Sequence, residues 1–180
     1  MNFNDLVNKR RSTRGFTDEP VSDEEIKKLL EVATAAPNAC NYQSWHFYVV
    51  RGREAISGLV PAVYRGEWLT GAAAVFVVST DAEKLTERFG ERGDRLFAIQ
   101  DTACAIDHLM LMAAELGLGS CFVGAFDEDE CRRYLKIPES RRPVALVPVG
   151  HPVADLPKRA RKPLSEVVTF VGEDKVEKLD

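Results

Sequence analysis

From Arg95 to Leu116 the sequence is apolar on nearly every side a helix can present, with Ile99, Ala103, Cys104, Ile106, Leu109 and Met112 spread around it. Such a helix is normally covered on most sides, at the centre of a domain or at a subunit interface. Gly117 and Gly119 follow it and can end it, because the residue after a helix often enters the left-handed region that glycine tolerates best. The rest of the chain must therefore supply layers to pack on this helix. Phe3, Leu6 and Val7 indicate a short first helix ending near Arg10. Ser22 and Glu25 have the spacing of a capping box, Ile26, Leu29, Leu30 and Ala33 form the apolar face behind it, and Pro37 stops that helix. Runs at 45–50, 73–79, 120–124 and 144–149 read as strands, with a short helix over 127–135. This order predicts an α+β fold in a single domain over residues 1–180, with a central mixed or antiparallel sheet flanked by helices. After Pro163 the apolar, β-branched run from Leu164 to Phe170 needs cover. It can form an edge strand of its own sheet or extend the sheet of a second subunit.

The net charge of −4 argues against a nucleic-acid partner, which usually requires a basic surface. The residues at 72–78 are too few to span a bilayer, and the first residues hold no signal-like apolar run, so no membrane association is expected. Four cysteines at 40, 104, 121 and 131 show no CxxC pair and no histidine partner at metal spacing. No metal site is expected. Free buried thiols in a reducing, cytoplasmic setting are the expectation instead.

Two basic clusters stand out. In Arg10-Arg11-Ser12-Thr13-Arg14, extended backbone places Arg10, Ser12 and Arg14 on one side, a donor-only surface suited to phosphate. Lys158-Arg159-Ala160-Arg161-Lys162 repeats the two-residue spacing near the other end of the chain. Each cluster alone reads as a solvated charge run; together they form one anion site if the fold brings the chain ends together. A third segment, Pro37-Asn38-Ala39-Cys40-Asn41-Tyr42-Gln43, carries carboxamides that can serve either as turn formers or as donors and acceptors to a heterocycle edge. A fourth, Gly117 to Phe126, is not a dinucleotide fingerprint, since Phe122 occupies the place of the last glycine. It can offer backbone N–H groups over Val123 to Ala125 to a flat ligand.

Taken in order, RRSTRGF, APNACNYQSWHF, IQDTACAIDHLMLMAAELGLGSCFVGAF, PVALVPVGHP and RARKPLSEVV resemble the FMN-dependent nitroreductases over about residues 5–170. The resemblance implies an intertwined homodimer with two FMN sites at the subunit interface. It implies an enzyme passing electrons from NADH or NADPH to a small organic acceptor, such as a nitro compound or quinone, in ping-pong order. Carried over by motif, Arg10, Ser12, Arg159 and Arg161 would bind the phosphate and ribityl chain, with Arg11 contributing at least its backbone. Arg14 would approach the pyrimidine end of the flavin. Pro37, Asn38, Ala39 and Asn41, with Gln43 close by, would reach it from the other subunit, and Phe122, Val123, Gly124 and Ala125 would run past the ring. No side chain is assigned as a catalytic acid or base. The rival reading is an FMN reservoir or sensor without turnover. Ser44 stands where proline is common in the family, Asn38 where serine or threonine is, and Cys40 where a thiol is unusual. Residues 88–95 stand where longer members carry a lid.

Overall fold

A computed structural model of the chain describes residues 2–171 and 176–178. In chain order its elements are α1 (Phe3–Lys9), α2 (Asp23–Thr34), β1 (Trp45–Arg51), α3 (Arg53–Ser57), β2 (Ala74–Thr80), α4 (Glu83–Phe89) and α5 (Ala98–Glu115). There follow β3 (Gly119–Ser120), α6 (Glu128–Leu135), β4 (Pro143–Gly150), α7 (Leu164–Val167), β5 (Thr169–Val171) and β6 (Val176–Lys178). The main sheet runs β1-β2-β4-β3 with every neighbouring pair antiparallel.

The middle of this sheet is dry on both faces. All seven residues of β2 are buried. Alternation sends Ala74, Phe76 and Val78 to one face and Val75 and Val77 to the other. On the first face β2 and β4 meet Ile26, Leu29 and Ala33 of α2 and Ile106, Leu109 and Ala113 of α5. On the second they meet Ile56, Leu59, Leu69, Cys131 and Ile137. Phe76 is fully buried at the centre, where truncation to alanine costs about 3–5 kcal/mol.

The long apolar helix is central, as its composition requires. It enters through a π turn at Gly93–Phe97, and ten of its eighteen α-helical residues are buried. The segment Gly93–Glu115 is long and apolar enough to cross a membrane, and α2 and the sheet cover its inner face, leaving 44% of it buried. The capping box of α2 forms in full. Gly117 follows α5 at φ +79°, the left-handed conformation that ends the helix.

Three expectations need correction. The strand expected over 120–124 is confined to Gly119–Ser120, with an isolated bridge from Val123 to Leu146. Between them Cys121 N–H donates to Pro148 O at 3.3 Å, and Pro148 has no N–H to return, so the ladder breaks. The tail is not an edge of the main sheet. It forms a short helix, and then β5 pairs with β6 in a separate two-stranded ribbon, which satisfies its backbone locally. The four thiols are free, but Cys40 is exposed and Cys104 only half-buried.

Candidate anion and flavin site

After α1 the chain leaves Arg10 in extended conformation and runs alongside β3. Ser12 forms a parallel bridge with Ser120, and Thr13 N–H donates to Ser120 O at 2.8 Å. This pairing fixes which way the side chains point. Thr13 is 4% exposed and faces inward, while Ser12 and Arg14 face out. The close approach depends on Gly119, where a Cβ would lie 2.7 Å from the Thr13 side chain.

The other end of the chain arrives from β4. Phe16 bridges Pro152, and Val153 N–H donates to Gly15 O at 3.1 Å. The Arg11 guanidinium is committed to backbone: Nε donates to Leu156 O at 2.9 Å, and Nη1 to Asn8 O at 2.5 Å and Arg10 O at 2.9 Å. Lys158 Nζ donates to Asn8 Oδ1. These contacts bring the two basic clusters together around one cavity of about 840 Å³. Six cationic residues line it, Arg10, Arg11, Arg14, Lys158, Arg159 and Arg161, together with Ser12 and, among the described residues, no carboxylate. Apart from Arg11 and Lys158, the bonds these cations make are weak: Arg161 reaches backbone carbonyls at 3.4 and 3.5 Å, and Arg14 stands 5.9 Å from the Trp68 ring centre. Convergent like charges without a counter-ion repel each other, so the cavity favours an anion that offers several acceptor oxygens.

Beyond Ser120 the chain runs on toward α6, and Phe122, Val123, Gly124 and Ala125 are not among the residues that line the basic cavity. Burial pushes the Cys121 thiol pKa up, with Arg14 and Arg10 pulling against it. Val123 does not offer its N–H as expected, because that group donates to Leu146 O at 2.9 Å. Gly124 and Ala125 keep theirs without a partner among the described residues. Phe122 is 46% exposed.

The loop at 37–43 lies elsewhere in the chain. Cys40, Asn41 and Gln43 all take φ +54°, an uncommon conformation for residues other than glycine. Two of its three carboxamides serve the loop itself. Asn38 Oδ1 accepts Gln43 N–H at 2.8 Å, Asn38 Nδ2 donates to Ala36 O at 3.2 Å, and Gln43 Nε2 makes a long 3.5 Å contact to Asn41 O. Only the exposed Asn41 carboxamide has no partner among the described residues. Asp101, in the first turn of α5, anchors the loop by accepting Ala39 N–H at 2.9 Å. The cavity strand adjoins the other end of α5, at Gly119–Ser120. From Asp101 to Gly117 the rise is roughly 24 Å, at about 1.5 Å per residue. Residues 88–95, which stand where longer members carry a lid, begin beside this loop. Arg88 donates to Tyr42 Oη at 3.3 Å, and the Phe89 and Phe97 rings meet edge to face at 5.2 Å.

Sequence reasoning missed two contributors, Asp101 and Trp68, while Lys158 was already part of the second basic run. Asp101 had a weak signal as an acid in an apolar helix. Trp68, which stacks against Arg14, had none.

Comparison with known proteins gives a consistent result. The sequence pattern of the nitroreductase family matches residues 7–65 and 60–151. A protein of Archaeoglobus fulgidus, provisionally named an NADH dehydrogenase/NAD(P)H nitroreductase, is 34% identical over 151 residues, spanning 82% of this chain and 83% of that protein. A crystal structure of a nitroreductase family protein from Clostridium difficile superposes with TM-score 0.83 at 32% identity, covering 94% of this chain and 98% of that one. A nitroreductase-like protein from Exiguobacterium sibiricum, crystallised with FMN, shares the fold at TM-score 0.82 and 23% identity, covering 95% and 98%.

Proposed function

Because this chain belongs to the nitroreductase family of NAD(P)H-dependent oxidoreductases, we propose that its basic cavity holds the phosphate of FMN. We further propose that the protein reduces a small organic acceptor, such as a nitro compound or quinone. The observation that carries this reading is the convergence of Arg10, Ser12, Arg14, Arg159 and Arg161 on one cavity lined, among the described residues, by no carboxylate. That donor set fits the cofactor. A phosphate dianion accepts hydrogen bonds and donates none, and guanidinium forks match its oxygens.

When bound, FMN supplies the relay that takes electrons from NADH or NADPH and passes them to the acceptor in ping-pong order. The protein's part is binding and electrostatics. Arg10, Ser12, Arg159 and Arg161 hold the phosphate and ribityl end. Arg14, kept in place against Trp68, sets positive charge beside the pyrimidine end, where reduction leaves negative charge. Gly124 and Ala125, whose N–H groups have no partner among the described residues, would be the backbone donors to the ring edge.

The proposed assembly is a homodimer in which the 37–43 loop of one copy completes the cavity of the other. Two observations support it. One copy holds the loop and the cavity strand at opposite ends of α5, too far apart to share one flavin ring. The chain also exposes Phe3, Val7, Leu164, Val167, Phe170 and Val171, an unusual apolar load for a surface without a partner. The free thiols suit a reducing cytoplasm.

The deciding experiment is an absorption spectrum of the purified protein, followed by anaerobic mixing with NADH and with NADPH. A yellow protein that bleaches within seconds and recovers its colour on addition of a nitroarene or a quinone supports the assignment. A yellow protein that stays oxidised is a storage protein or sensor, and a colourless one that takes up no FMN refutes the site.

A further inference from the structure

Asp101 is 4% exposed, and its carboxylate is used unevenly. Oδ1 accepts Ala39 N–H at 2.9 Å, whereas Oδ2 is buried with no hydrogen-bond partner. A buried acceptor without a donor is costly, and no cation pairs with this carboxylate among the described residues. Its one visible task is therefore the bond to Ala39. That bond is also the only hydrogen bond from a distant element to the backbone of residues 38–42 among the described residues.

The loop needs such a tether. Three residues at φ +54° within four positions hold it in a conformation that a free chain would seldom adopt. Bonds inside the loop fix its shape, as with Asn38 and Gln43, but they do not fix its position on the fold. Position comes from the packing of Ala39 and Tyr42 on Ala82, Leu85 and Ala98, from the side-chain bond of Arg88 to Tyr42, and, at the backbone itself, from Asp101, which sits on the first turn of α5 and binds the amide two residues before Asn41.

We propose that Asp101 is a positioning residue for flavin binding, holding the loop through the Ala39 amide so that the unpartnered Asn41 carboxamide is presented at a fixed place. This rests on the FMN reading above. A charged acceptor is suited to the task because charge-assisted hydrogen bonds are stronger than neutral ones.

The test compares Asp101→Ala and Asp101→Asn for folding by circular dichroism and for FMN affinity by quenching of flavin fluorescence. Asparagine keeps an acceptor at the same place, so its affinity should stay within about threefold of wild type, the size of a neutral-for-charged exchange. Alanine removes the acceptor and should weaken FMN binding about tenfold or more, as expected for a lost charge-assisted bond. The fine structure of the bound flavin's absorption should blur with it. A folded Asp101→Ala protein with wild-type FMN affinity and spectrum overturns the proposal, as does an Asp101→Asn protein impaired as severely as the alanine variant. If Asp101→Ala does not fold, Ala39→Pro cuts the same bond from the other side. Asn38 already has φ −152° and ψ 161°, the extended conformation required before proline, and residue 39 opens the short helical turn. That variant should show the same loss, and wild-type affinity in it also overturns the proposal. A wild-type chain that takes up no FMN overturns both this assignment and the functional reading, whereas a flavin-binding wild type beside an equally tight Asp101→Ala overturns this one alone.

Discussion

Gly119 and Thr13 are packed so closely that a Cβ on residue 119 would lie 2.7 Å from three atoms of the Thr13 side chain to within 0.1 Å, which makes an edge glycine the hinge on which the basic strand hangs. Gly119→Ala should push Thr13 outward and with it the Ser12 and Thr13 pairing to Ser120. Overpacking of this kind costs about 1–3 kcal/mol, so a lower melting temperature is expected. FMN affinity should fall in the same protein, because Ser12 and Arg14 flank the displaced residue. A variant that melts and binds FMN like wild type contradicts this account of the strand.

The cationic cavity makes a sharper claim. Wild-type protein should prefer FMN to riboflavin by about 100-fold or more, since several charge-assisted bonds go to the phosphate alone. Replacing Arg10 and Arg159 together by alanine should weaken FMN about 100-fold and leave riboflavin within about threefold. Isothermal titration with both ligands measures this. Equal losses for the two would mean that these residues do not hold the phosphate.

These two tests also separate what the sequence displayed from what it concealed. The capping box at Ser22 and Glu25, the central helix and both basic runs depend on neighbours in sequence, and all were legible. The break in the strand after Ser120 was not, because it arises from Pro148, a residue on another strand that faces Cys121 only once the register is set. Asn38, Asn41 and Gln43 read by residue type either as turn formers or as ligand contacts; in space the Asn38 carboxamide is spent inside the loop, on Gln43 N–H and Ala36 O. Counting hydrogen bonds in space, not in sequence, leaves Asn41 as the free carboxamide. That the basic runs meet is a tertiary fact, carried by Arg11 reaching Leu156 O across the chain.

Arg11 therefore deserves a test of its own, since it lines the cavity while spending its donors on carbonyls. Arg11→Lys keeps the charge but cannot reach Leu156 O, Asn8 O and Arg10 O in one geometry. If Arg11 works as a clip between the chain ends, FMN affinity should fall about fivefold to tenfold despite the retained charge. The salt dependence of binding should keep its wild-type slope, because the number of charges near the phosphate is unchanged. Wild-type affinity in the lysine variant would show that only charge matters there.

Thiol labelling checks the interior. Cys131 is fully buried, and burial pushes its pKa up to about 11 against a smaller pull from Arg132. At pH 8 its thiolate fraction is then about one in a thousand, so it should resist an aromatic disulfide reagent until the protein unfolds. Cys121 is also buried with a raised pKa and should behave alike. Labelling of Cys40, exposed in the single chain, should vanish in Cys40→Ser and slow where FMN and the partner copy cover its loop. Rapid labelling of Cys131 in folded protein would mean that the second core face is not closed as described.

The start of α2 supplies a pH signature whose direction follows from its hydrogen bonds. Ser22 donates its N–H and its hydroxyl to the Glu25 carboxylate, both at 2.8 Å, and Glu25 N–H donates to Ser22 Oγ at 3.2 Å. The bond from the Ser22 backbone, then that from its hydroxyl, hold the Glu25 pKa below the ordinary value, with burial working weakly against them. A depressed carboxyl contributes stability that is complete above its unfolded pKa of about 4.3 and is lost as pH falls through the lower folded value. Glu25→Gln can still accept one bond but does not titrate in this range. Wild type should exceed it by about 0.5–1 kcal/mol at pH 7, a modest figure because the box is partly solvated. The gap should hold steady from pH 8 to about 5 and close toward pH 3, once both proteins carry a neutral side chain there. Urea unfolding at fixed pH intervals measures the difference directly and cancels the titrating groups that do not act on Glu25, which leaves the small pull of His151. A gap that widens on acidification would contradict the assignment of Glu25 as the charged half of this cap.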